Sequence, residues 1–188
     1  MVATAAAQAT APGPRALAGW LVADAARLDA GQWWRAATGP LVHATWGHLV
    51  RDLALMLIAG VAYEQPLRRG FVALLASALV LPTLAVIVVD GAPAYYGLSG
   101  VSHALLAAAL AYELGARRGR GRAYVAALAA LGAIKVGYEL ITGAPAFPMA
   151  LGHGIRQAPL AHAVGAAIGV GFGVAAALRR SRRSSACT

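Results

Sequence analysis

Long apolar runs separated by short polar or basic breaks set the pattern of this chain. Runs at 48–63, 70–89, 101–114, 123–141 and 159–178 each read as a helix, and the longest match the about 20 residues that a bilayer core requires. An earlier run, 16–26, is apolar but short, is broken by Asp24, and has Pro12 and Pro14 near its start. The pattern predicts an all-α membrane protein: a polytopic helical bundle of five transmembrane helices plus a weak N-terminal one. Residues 1–15 read as a flexible N-terminus, 16–178 as the transmembrane domain and 179–188 as a basic tail. Residues 1–13 carry no charge, so no basic segment of a cleaved signal peptide is expected there.

Composition supports the membrane reading. The 188 residues are 60% hydrophobic and 12% charged, against about 25% charged in soluble domains. The net charge of +9 changes the picture through its placement. Arg68 and Arg69 form one cluster, Arg117, Arg118, Arg120 and Arg122 a second, and Arg179, Arg180, Arg182 and Arg183 a third. Each follows an apolar run, as cytoplasmic loops do. The loops holding Trp33, Asp90 and His153 then lie outside, and the C-terminus is cytoplasmic. A nucleic-acid surface would gather such arginines on one face with aromatics between them, and few are present. The expected partners are therefore the lipid bilayer and transmembrane proteins, with no nucleic acid. Cys187 is the only cysteine, so no disulfide forms within the chain. Trp33 and Trp34 beside Arg35 fit a loop at the headgroup interface, the alternative being a packed aromatic cluster.

The chemistry centres on the segment from Tyr95 to His103. Gly97 and Gly100 allow a sharp turn and a close approach on either side of Ser99. Ser99 falls at or just before a helix start, where free N–H groups and the helix dipole suit an oxyanion-forming nucleophile. From Ser99 to Arg117 the helix rises about 27 Å, which leaves the serine slightly below the outer boundary of an about 30 Å core. Tyr95 and Tyr96 are expected to mark that boundary. His48 and Asp52 are four apart and share one helix face, while Arg51 points elsewhere and reaches outward. His162 precedes Gly165, Gly169 and Gly173, a four-residue repeat that forms a groove for a close helix contact. Ala104, Ala107, Ala108 and Ala111 offer a matching small face. Ser99, His48 and His162 all fall near the outer ends of their helices. A histidine within reach of Ser99 can take its proton and deliver it to a leaving amine. Lys135 and Glu139 pair four apart and read as structural, since nothing in the sequence ties them to the serine.

The segments Gly97-Leu98-Ser99-Gly100, His162 with Gly165 and Gly169, and His43 and His48 with a polar residue at 52 resemble the intramembrane serine proteases of the rhomboid family. The resemblance covers roughly residues 31–178, with the motifs in the family's order and helices. The segments 31–35, 96–101 and 135–139 look most like the rhombosortase branch, which the resemblance implies processes proteins with a Gly-Gly-containing C-terminal membrane anchor. It also implies a rhomboid-like bundle, a bacterial inner-membrane location and no cofactor or metal. Ser99 would be the nucleophile and His162 the base of a dyad, with the Ser99 N–H, His48 and residue 52 as the oxyanion hole. Gly97, Gly100, His103, Gly165, Gly169 and His43 would support them.

Two positions depart from the family pattern. The usual asparagine is Asp52 here, either protonated by apolar surroundings or aimed at His48 to keep that ring charged; the second is favoured. The usual tyrosine four residues after the serine is His103, with two roles open: stacking on His162 or competing with it as base. Three alternatives stand beside the protease: an inactive rhomboid-like protein that binds membrane clients, a metal site built from His43, His48, His103, His153 and His162, and a transporter or channel. The chain is short for the last and lacks a pair of matching broken helices.

Overall fold

The first described residues, Pro14–Leu21, form helix α1. The structure is a computed structural model and describes residues 14–68, 70–148 and 157–185. The flexible N-terminus expected over 1–15 lies almost wholly outside the described residues, as does His153. At eight residues α1 is about 12 Å long, too short to cross a hydrocarbon core. The weak first span is thus replaced by a short helix, followed by β1 (Ala23–Asp24) and α2 (Ala25–Asp29). Asp24 is the reason for the break: its carboxylate accepts the Arg27 N–H at 3.0 Å and caps α2.

Next come α3 (Arg35–Thr38), a 3₁₀ turn (Gly39–Leu41) and four long helices or spans of helix around a fifth. These are α4 (Trp46–Leu67), α5 (Phe71–Val88), α6 (Ser99–Ala116), α7 (Gly119–Thr142) and α8 (Pro159–Ser185), with β2 (Ala94–Tyr95) between α5 and α6. Strand β2 pairs antiparallel with β1, Ala23 opposite Tyr95. The tail expected from residue 179 continues α8 as helix to Ser185, with 186–188 outside the described residues.

Among the described residues, α5, α7 and the Pro159–Arg182 part of α8 are long and apolar enough to cross a membrane. A fourth candidate joins α4 to Arg35–Leu41 across a bend of 104°. Helix α6 falls short because Ser99, Ser102, His103, Tyr112 and Glu113 dilute its apolar run. Its position explains why that is tolerated. It packs against α4, α5, α7 and α8, so protein and not solvent or lipid faces much of its surface.

The most extensive helix pair is α6 with α8. Gly165, Gly169 and Gly173 face the carbonyl oxygens of Gly100, Ala104 and Ala108, and a Cβ on any of the three would overlap that oxygen. The sequence-predicted groove is therefore a backbone-on-backbone contact. At the far end from Ser99, the Tyr63 hydroxyl donates to Glu113 (3.2 Å), Arg117 pairs with Glu113, and Arg180 donates to the Tyr112 hydroxyl (2.7 Å).

Arg35 is fully buried, although it was expected at a wet interface. Its guanidinium donates to the Gly19 and Val22 carbonyls, both at 2.9 Å, and to Gln32 at 2.7 Å. It ties α3 to the open carbonyls at the end of α1. The flanking Trp33 and Trp34 remain exposed, as an interfacial loop requires.

Candidate active site

Helix α6 begins at Ser99 with Leu98 as its cap. The Ser102 N–H bonds back to the Leu98 carbonyl at 2.9 Å, so the Ser99, Gly100 and Val101 N–H groups have no acceptor within the helix. Gly97 turns the chain into this helix at φ +105°, a conformation that favours glycine. A Cβ there would also lie 2.6 Å from His48 Cε1 and 2.9 Å from its Nε2. The His48 ring therefore rests directly on the turn that presents Ser99.

His48 and Asp52 are buried on the inner face of α4, and Arg51 between them is exposed. Thr45 caps α4 by accepting the His48 N–H at 3.1 Å. Asp52 Oδ2 lies 3.2 Å from His48 Nε2 and 3.4 Å from His43 Nε2. His43 Nδ1 is 3.2 Å from the Leu41 carbonyl, which can only accept, so Nδ1 carries the proton. Its Nε2 then accepts the Leu98 N–H at 3.4 Å. His43 thus links the 3₁₀ turn to the residue before Ser99, and the partner of Asp52 is His48. Among the described residues, the buried side-chain polar atoms without a hydrogen bond are His48 Nδ1, Asp52 Oδ2 and Arg35 Nη2. Two of the three belong to the pair packed against the Gly97 turn, so the approach of Asp52 Oδ2 to His48 Nε2 is an ion-pair contact without hydrogen-bond geometry.

The second histidine pair stands across α6. His103 and His162 stack with centroids 4.1 Å apart and planes 14° from parallel. This settles the geometry of His103: its Nδ1 donates to the Ser99 carbonyl (2.6 Å) and its Nε2 faces Lys135 Nζ (2.8 Å), leaving neither nitrogen for the Ser99 hydroxyl. Gly165 meets the carbonyl of Gly100, the residue after Ser99, and His162 lies one turn beyond Gly165 toward that end. His162 Nδ1 is 2.8 Å from Glu139 Oε2, and Lys135 Nζ is 2.7 Å from the same oxygen. The expectation that Lys135 and Glu139 have no tie to the serine end is overturned: both contact the ring that the α6–α8 groove brings there. Sequence reasoning passed over them because their four-residue spacing reads as an ordinary helix pair. The usable signal was two ionisable residues at membrane depth.

Tyr95 is buried within the protein. Its hydroxyl donates to the Gly97 carbonyl at 3.2 Å, and burial pushes its phenol up to about 12, so it stays neutral and holds the turn. An apolar cavity of 330 Å³ lies next to the turn, lined by Leu53, Met56, Leu75, Leu79, Leu98 and Val101, with His43 among its walls. Among the described residues the histidines pair as two separate couples, His43 with His48 and His103 with His162. Among the described residues no three metal-ligating side chains gather to hold an ion.

Residues 30–179, which contain both histidine couples and Ser99, match the Rhomboid domain. The chain belongs to the rhomboid family. No curated protein matches it. Rhomboids are in general intramembrane serine proteases that act on membrane proteins within the bilayer, and this rhomboid is an integral, multi-pass membrane protein. Its departures from the family pattern, Asp52 and His103, both have partners inside the site: the first at His48, the second at Ser99, Lys135 and His162.

Proposed function

We propose that this rhomboid is an intramembrane serine endopeptidase that cuts membrane-anchored proteins near the outer membrane–water boundary through Ser99 and His162. The observation that carries the reading is the α6–α8 contact, which sets His162, stacked on His103, beside the helix start where Ser99 stands. In this mechanism Ser99 Oγ bonds to the scissile carbonyl carbon while its proton passes to His162. The tetrahedral oxyanion is met by the Ser99 N–H and His48. Collapse breaks the C–N bond, and His162 returns the proton to the leaving amine. Water, deprotonated by the same imidazole, then hydrolyses the acyl-enzyme and frees Ser99.

Helices α4 to α8 are read as five spans, with the arginine-rich ends and the C-terminus in the cytoplasm of a bacterial inner membrane. The motifs around residues 31–35, 96–101 and 135–139 support the rhombosortase branch, and so a substrate with a Gly-Gly-containing C-terminal anchor. The cavity beside Leu98 gives an apolar side chain of such a substrate a seat.

A fluorophosphonate probe tests the reading. Covalent labelling is expected on the intact chain and absent from Ser99→Ala and His162→Ala; labelling of all three alike would leave an inactive client-binding rhomboid. Asp52 provides a finer check. Asp52→Leu removes the partner of His48 and is expected to slow labelling by roughly ten- to a hundredfold, as losing an orienting partner does. Asp52→Asn keeps an oxygen for the ring and is expected to retain most of the rate, so equal rates for the two variants would remove Asp52 from the oxyanion site.

A further inference from the structure

Helix α7 runs 24 residues, and its one buried residue is Glu139. A carboxylate is the last group that membrane packing would enclose without a purpose. Both its oxygens are used. Oε1 accepts the Ala146 N–H at 3.1 Å, which fixes the carboxylate plane. Oε2 lies 2.7 Å from Lys135 Nζ and 2.8 Å from His162 Nδ1.

The hydrogen-bond directions around this oxygen follow from what each partner can do. The Ser99 carbonyl only accepts, so His103 carries its proton on Nδ1 and offers Nε2 as an acceptor. Lys135 has donors only, and it supplies one to His103 and one to Glu139. His162 Nδ1 then has two neighbours, Glu139 Oε2 at 2.8 Å and Lys135 Nζ at 3.1 Å. Donation from Lys135 would leave the His162 proton on Nε2 and abolish a base on that side. Donation from His162 to Glu139 leaves Nε2 with a lone pair. The nearer neighbour is a carboxylate oxygen that can only accept, so the Nδ1 proton faces it, and the third N–H of Lys135 is not needed at His162.

We infer that Glu139 is a positioning residue that turns the Ser99–His162 pair into a Ser99–His162–Glu139 triad. It holds His162 in the Nδ1–H tautomer and faces the imidazolium charge that forms when the ring takes the serine proton. Lys135 steadies Glu139 and, through His103, the plate on which His162 stacks. The inference rests on His162 being the base, and its test separates the two.

The experiment measures fluorophosphonate labelling of the purified full chain in one detergent, resolved into the maximal inactivation rate and the half-saturating probe concentration. Glu139→Gln, which keeps shape and loses the charge, is expected to lower the maximal rate by roughly 10²- to 10⁴-fold. The half-saturating concentration stays unchanged, and Glu139→Asp restores part of the rate. Full-rate labelling of Glu139→Gln beside an unlabelled Ser99→Ala overturns the triad and leaves the protease; labelling of Ser99→Ala overturns the protease itself. Should Glu139→Gln fail to fold, a histidine-selective ¹⁵N spectrum of the unaltered chain decides. The ring signal that vanishes in His162→Gln is expected to carry its proton on Nδ1, and a proton on Nε2 overturns the inference.

Discussion

Ser99→Ala is expected to abolish cleavage of a membrane-anchored reporter produced in the same cells, a loss of about 10⁴-fold or more. The cause is local. The hydroxyl stands at the first residue of α6, on a turn made by Gly97 at positive φ, with three N–H groups behind it that have no acceptor within the helix. Alanine changes none of that geometry, so the loss reports the oxygen. His162→Ala is expected to fall equally far. The double variant is expected to be no worse than either, because nucleophile and base act as one unit. Immunoblotting of the reporter fragment is the measurement. Unchanged cleavage in either single variant would dismiss the mechanism.

The second large effect belongs to the glycine stripe of α8. Gly165→Val is expected to destabilise the bundle by at least about 2 kcal/mol and to abolish probe labelling together with it. Any Cβ at this position overlaps the Gly100 carbonyl, and backbone cannot swing aside as a side chain can. The helices must separate just where they bring His162 to the Ser99 end. Gly171 is the control, since nothing lies within 4 Å of a Cβ placed there. Gly171→Ala is expected to leave stability unchanged or raise it by up to about 1 kcal/mol, the propensity gain alone. Thermal aggregation in detergent compares the two, and equal melting points would show that the groove is not a close contact.

These two predictions draw on features that local sequence could announce. An apolar run announces a helix, three glycines four apart announce a groove, and a glycine-bracketed serine announces a tight turn. Distant pairings are another matter. Strands β1 and β2 are two residues each and separated in the chain by α2 to α5, so no periodicity marks them. The Tyr95 side chain gives no sign in the sequence that its hydroxyl donates to the Gly97 carbonyl. Arg35 looks solvated until α1 folds its carbonyls over it. Glu139 is the sharpest case. Its four-residue spacing from Lys135 accounts for it locally, and only the return of the chain through α8 shows the imidazole it meets. Helix α6 is the opposite case: an apolar run in the sequence that is too polar to qualify as a span by itself, and one that packs against four neighbouring helices.

The shallow seat of Gly119–Thr142 carries a consequence for the host membrane. With one enclosed side chain, this segment has almost no apolar grip on the bundle. Lateral pressure from acyl chains must supply the clamping that interdigitated side chains supply elsewhere. Bilayer thickness and fluidity are then expected to govern how steadily the His162 ring is held, and in the proposed protease the surrounding lipid becomes a tuning element of turnover.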